Sequence, residues 1–327
     1  MKTTIKALLV ILTFAFFSCQ KDAGLGVTSN TSTDLSIMQL KSATLAVNDV
    51  AVESASEEAS NETFFYGEYE RMLRALAHLK GSKKDLFAGK GNMHYINGQR
   101  PVVSIDTAEA GYPIVISIDY GTGKETDHGK VISGKVTIEI SGPKGVDGTT
   151  RTITYQDCVI DSIGINGKSI ETFNGDNATT RKMTVSSEVD FTLPDGTIIH
   201  RVGNTVREWL EGLATPLVRE DDKIQVTGTI EVTSSKGDKV DKYSRVIVEP
   251  LIRLGDCHHP VQGVVQFNKN GIEIASLDYG TGVCDNKAIL TTNGTDVEIV
   301  LKEQGMPKAK TEGKHEASNK GKKNGGH

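Results

Sequence analysis

"KMTVSSEVDFTLPDGTIIHRV", residues 182–202, is the stretch on which the fold turns. Met183, Val185, Ser187, Val189, Phe191 and Leu193 fall on one parity, and Thr184, Ser186, Glu188, Asp190 and Thr192 on the other. Successive side chains of a strand point to opposite faces, so this alternation predicts a half-buried antiparallel strand. Pro194-Asp195-Gly196 then supplies turn chemistry, and a second strand is expected from Thr197 to Trp209.

The same period of two recurs on both sides. It is seen in Val136-Ile138-Ile140, Ile224-Val226-Gly228-Ile230-Val232, Val261-Gly263-Val265-Phe267 and Val297-Ile299-Leu301. About ten or eleven strands joined by short turns are predicted, forming a long antiparallel meander that closes up as a sandwich or open barrel. Ahead of the strands, "NETFFYGEYERMLRALAHLKG" spaces Phe65, Tyr69, Met72, Leu76 and Leu79 as one apolar stripe, with Gly81 as its stop. The class is therefore mainly β, with one N-terminal amphipathic helix packed on the sheet.

The outer segments divide the chain. Lys2 and Lys6 precede an apolar run from Ala7 to Phe17, and Ser18-Cys19 closes it where a small-x-small cleavage site is missing. The run is too short for a stable span and fits a secretory signal. The cysteine after it resembles a bacterial lipobox, which implies a lipid on Cys19 as the mature N-terminus and an anchor in the membrane. The polar "QKD" that follows resembles the export signal of Bacteroidetes surface lipoproteins, so an outer-membrane, outward-facing location is expected. The divisions are 1–18 signal, 19–60 flexible tether, 61–110 helical segment, 111–304 antiparallel β domain and 305–327 disordered basic tail. The tether reading rests on Ser, Thr, Asn, Ala and Glu without apolar periodicity.

Net charge is −5. The signal lysines and the six lysines of 307–327, set against Glu312 and Glu316, are basic, so the body between them carries the acidic surplus. An acidic body argues against a nucleic-acid partner.

Two stretches are nearly the same: "SIDYGTG" at 117–123 and "SLDYGTG" at 276–282. Each ends an apolar strand, and each is followed by a turn and a later Glu-Ile pair, Glu139-Ile140 or Glu298-Ile299. Glycines that permit a chain reversal, and Asp119 and Asp278 placed to accept backbone N–H groups, make these repeated turns, with Tyr120 and Tyr279 suited to the sheet surface. The rival is a cation site with Asp278 and Asp285 as oxygen ligands, or Asp119, Glu125 and Asp127 in the first copy, although no loop signature is met.

"IDTAEAGYPIVISIDYGTG", "VREWLEGLATP", "GDC" at 255–257 and "LDYGTGVCDNKAILTTNG" together resemble a family of uncharacterised Bacteroidetes lipoproteins, over roughly residues 100–302. The resemblance implies no activity, ligand or catalytic residue.

Cys257 and Cys284 flank two predicted strands whose ends should meet, and export permits their oxidation, so they are expected to form a disulfide. A zinc site of Cys257, His258, His259 and Cys284 has suitable ligand types, but its spacing follows no standard pattern. Cys158 reads as a small buried residue. No Ser-His-Asp order, nucleophile elbow, H-E-x-x-H or phosphate loop is present. Glu208 and Glu211 flank Trp209, but such pairs are common in β proteins. No catalytic residue, metal or cofactor is assigned. Trp209 is the candidate platform for stacking a ligand. "DTA" at 106–108 and "DSI" at 161–163 match the Bacteroidetes O-glycosylation pattern, which would place glycans on Thr107 and Ser162. The functional expectation is a membrane-anchored surface lipoprotein acting as a non-enzymatic structural or ligand-binding scaffold, with a glycan, lipid or protein partner left open. The alternatives are a lipid or lipoprotein carrier with an apolar cavity, and an enzyme acting on extracellular polymer.

Overall fold

The computed structural model describes residues 37–68, 72, 75, 100–108, 111–126, 129–176, 179–215 and 218–301. It holds one long helix, α1 (Ile37–Glu68), and thirteen strands. The strands are β1 (Val102–Thr107), β2 (Ile114–Glu125), β3 (Val131–Ile140), β4 (Thr150–Ile160), β5 (Ile163–Gly175), β6 (Arg181–Thr192) and β7 (Ile198–Glu211). The meander continues with β8 (Lys223–Lys236), β9 (Lys239–Leu254), β10 (Gln262–Lys269), β11 (Ile272–Thr281), β12 (Lys287–Thr292) and β13 (Thr295–Val300). Every neighbour in the sheet is the next strand in sequence and every pairing is antiparallel. β1 and β13 are left as the edges of an open sheet.

Residues 182–202 are β6 and the start of β7, with Val189, Phe191 and Leu193 buried and Glu188, Asp190 and Thr192 exposed. Its turn closes through Leu193 N–H to Thr197 O at 2.8 Å. Strands were expected only from 111, but β1 lies before that boundary and the sheet begins at Val102.

A twisted sheet of this many strands cannot stay flat. This one curls around α1. The helix packs against β3 and β4 on one flank and β11 and β12 on the other, and it joins the middle through ion pairs to β7 and β9. Glycines inside strands permit the close approach that bending needs. At Gly228, φ is +138° and an added Cβ would lie 2.3 Å from the carbonyl oxygen of Asn204 on the neighbouring strand.

The helix corrects the reading of 19–60 as a flexible tether over residues 37–60, while 19–36 lie outside the described residues. Over 37–60 the chain is helical, and Ala46, Val50, Val52, Ala55 and Ala59 belong to the core. The segment has no one-sided apolar stripe because the trough surrounds it and meets its polar residues with charged partners. Of the expected stripe, Phe65 and Met72 are partly buried against the core. Tyr69, Leu76, Leu79 and Gly81 lie outside the described residues, as do Cys19, the signal and the basic tail. Among the described residues no helix is long and apolar enough to cross a membrane.

Candidate functional site

The site is built where the helix stands off from the middle of the sheet. Asp49, Glu53 and Glu57 recur every fourth residue on one face of α1, a spacing that stacks side chains on a helix. Arg201 of β7 and Arg245 and Arg253 of β9 project inward at positions where alternation would ordinarily place an apolar residue. Asp49 is fully buried and takes Arg201 and, at 3.0 Å, Arg245 Nε. Glu53 accepts from Arg253 Nη2 at 2.8 Å and lies 3.4 Å from Arg201 and 3.6 Å from Arg245. Glu57 pairs with Arg253 Nη1 at 3.1 Å. Further along, Arg207 donates to Ser60 Oγ at 2.7 Å, and Arg151 Nε donates to Glu171 Oε2 at 2.7 Å.

Burial would raise the Glu53 carboxyl, but Arg245, Arg253, Arg201 and Arg207 outweigh it and hold the group far below the usual carboxylate range. Glu57 is lowered in the same way, with burial opposed by Arg253, Arg207 and Arg219. Neither carboxyl carries a proton near neutral pH, so neither can act as an acid there. Cys158, buried on β4, has its thiol pushed up to about 12 by burial and by Glu62, the reverse of an activated nucleophile.

Between α1 and strands β4 to β9, Glu53, Glu57, Arg201, Arg207, Arg245 and Arg253 border a central cleft with an empty volume of about 920 Å³, solvent at its mouth included. Serines and threonines such as Ser56, Ser169, Ser187 and Thr205 share its wall with Val185, Val189, Phe191 and Leu251. Arg201 Nε and Arg245 Nη2 are buried and have no hydrogen-bond partner among the described residues.

The repeated turns serve this arrangement. Asp119 Oδ1 accepts from Gly121 N–H and Asp278 Oδ1 from Gly280 N–H, both at 2.8 Å. The identical bond in each copy makes these carboxylates turn builders. Their tyrosines do not sit on the surface as expected. Tyr120 and Tyr279 are buried against the helix. Tyr120 donates to Glu62 Oε2 at 3.0 Å, and Tyr279 sits in the field of Arg245, Asp49 and Glu53. One flank of the sheet grips α1 near Glu62 and the other grips it near Asp49. The copies diverge beyond the turn: Glu139 lies on β3, next to the first copy's strand, whereas Glu298 lies on β13, two strands after the second.

The other sequence candidates scatter. Cys257 and Cys284 form a disulfide with Cα atoms 6.0 Å apart, as expected. Asp285 is exposed and accepts from Lys287 N–H at 3.1 Å. Among the described residues no group of three or more His, Cys, Asp or Glu is set to hold a metal ion. Trp209 is not the open stacking platform that the sequence suggests. Its ring is buried beneath the Arg181 guanidinium, 4.2 Å away, and its indole N–H donates to Asp222 Oδ2 at 3.2 Å. Glu208 and Glu211 form surface ion pairs with Lys182 and Lys223. Thr107 ends the edge strand β1, half-buried, and Ser162 is exposed in the turn between β4 and β5.

The arginine ladder was missed in the sequence. Its signal was a set of arginines at inward parity in strands, answered by carboxylates spaced every fourth residue in a stretch that lacks Gly and Pro from Val27 to Tyr66. No known protein family matches the chain, nor does any curated protein or solved structure.

Proposed function

We propose that the chain is a non-enzymatic binding scaffold, anchored in the outer membrane through a lipid on Cys19 and presented at the surface. The observation that carries the binding reading is the central cleft, whose wall holds Arg201 Nε and Arg245 Nη2, buried donors with no hydrogen-bond partner among the described residues. Buried donors of this kind are normally satisfied by water or a ligand. The carboxylates beside them are committed to ion pairs, which favours binding over catalysis. A carrier of lipid or lipoprotein is the second reading, favoured by Val185, Val189, Phe191, Val226, Ile230 and Leu251 on the cleft wall.

Native mass spectrometry of the full protein, extracted in mild detergent, tests both readings. A small polar adduct beyond the polypeptide and its N-terminal lipid is expected, and Cys19→Ala should move folded protein to the soluble fraction. An adduct made of acyl lipid supports the carrier instead. Turnover in a glycan and peptide panel contradicts the non-enzymatic reading. Absence of any adduct, together with no thermal shift across a ligand panel, contradicts both binding readings.

A further inference from the structure

Two facing surfaces leave the central cleft unfilled. On the sheet side, register sets Ser169 of β5 against Ser187 of β6, and Ser187 against Gly203 of β7. All three lie on the parity that faces the helix, with Val185 and Val189 on either side of Ser187. On the helix side, Ser56, Ala59 and Ser60 line the same space. Large apolar side chains at these positions would close the core, as Ile138 and Ile153 close it on β3 and β4.

Small residues alone only make room. Arg201 and Arg245 indicate what enters it. Both wall the cleft, 5% and 2% exposed, and Arg201 Nε and Arg245 Nη2 have no hydrogen-bond partner among the described residues. A buried N–H group normally finds an acceptor. Charge decides which kind. Each guanidinium of the wall already lies beside a carboxylate: Arg201 and Arg245 at Asp49, Arg253 at Glu53 and Glu57, and Arg207 at 3.9 Å from Glu171. An ionic or zwitterionic ligand would have to open one of these pairs and strand a buried charge. A neutral polar ligand leaves them closed.

We infer, resting on the binding-scaffold reading, that the central cleft takes a neutral sugar ring, free or at the end of a glycan, seated on Ser169 and Ser187 beneath α1. A sugar hydroxyl both donates and accepts. Several on one ring can accept from the two arginine N–H groups and donate to the carboxylate and serine oxygens around them. Phe191 and Tyr155, with Val189 between their strands, offer an apolar surface to the C–H face of the ring. The cleft falls within the size of small-molecule sites, about 300–1,000 Å³.

Calorimetric titration of the full protein in mild detergent tests this with glucose, galactose, mannose and N-acetylglucosamine, their methyl glycosides and their disaccharides. Glucuronate, glucosamine and L-glutamine serve as charged counterparts. At least one neutral sugar should give saturable heat at millimolar concentration, with an affinity that sodium chloride leaves unchanged, since no charge is exchanged. Ser187→Ala removes one hydroxyl and should weaken that sugar about five-fold. Ser187→Leu fills the floor and should abolish binding while the circular dichroism spectrum stays that of the parent. A methyl glycoside or disaccharide that binds tighter than the free sugar points to the end of a glycan, and equal or weaker binding points to a free monosaccharide. Heat from the charged compounds alone, or sugar binding that both Ser187 variants leave intact, overturns the sugar assignment. A native adduct that no neutral sugar displaces overturns it too, yet leaves the cleft a binding site. Neither heat nor adduct removes both.

Discussion

Asp49 is the residue on which the docking of the helix depends most. Its carboxylate is fully buried and faces two arginines, and both of those are buried as well. A buried ion pair adds little net stability over an apolar pair, but removing one member leaves a charge stranded. Asp49→Asn keeps the shape and removes the charge, so it should cost about 3 kcal/mol or more, read as a lower urea midpoint by circular dichroism at pH 7. A loss under about 1 kcal/mol, the level of an exposed pair, would show that the ladder is incidental. Acid should act through its neighbours. The Glu53 and Glu57 carboxyls titrate below their ordinary value of 4.5 in the folded chain. Their contribution is thus complete above that value and is lost as pH falls below it. Denaturation midpoints measured from pH 6 to pH 3 should decline, and a Glu53→Gln/Glu57→Gln chain should decline less steeply.

At the scale of elements, the strands were legible because burial on one face imposes a period of two, and because turns such as Pro194-Asp195-Gly196 punctuate it. The helix over 37–60 was not legible, since an amphipathic search looks for an apolar stripe and this face is acidic. The acidic stripe makes sense only once Arg201, Arg245 and Arg253 are seen to point inward, and those residues lie some 150–200 positions further along the chain. The site was missed for the same reason: it belongs to neither element alone. The disulfide was legible because only two adjacent strands separate its cysteines. Curvature of the sheet also has a local cause that can be tested. Gly228→Ala would force a Cβ to within 2.3 Å of Asn204 O at φ +138° and should cost about 2 kcal/mol or more. Gly237→Ala, in the open turn between β8 and β9 with nothing within 4 Å, should cost about 1 kcal/mol. Thermal melts giving equal losses would show that the close approach at Gly228 does not hold the bend.

For the whole molecule, the open sheet and the polar helix explain one another. A sheet this long presents a broad concave face, and a helix carrying Asp49, Glu53, Glu57, Glu58 and Glu62 has no stable place except against matching cations and hydroxyls. The repeated DYG turns fasten the two flanks through Tyr120 and Tyr279, and the Cys257–Cys284 bridge ties the ends of the β10–β11 hairpin beside the second copy. The central cleft exists because long arginine side chains, and not close backbone packing, span the gap to the middle strands. All of this requires α1 to be an integral part of the fold. Hydrogen–deuterium exchange of the full chain, followed by mass spectrometry of peptides spanning 42–66, tests that requirement most directly. The amides of this segment should be protected on the timescale of β2 and β11, and Asp49→Asn should release them first. Complete exchange of 42–60 within seconds, while the strands stay protected, would mean that the segment is a tether and that the trough stands without its helix.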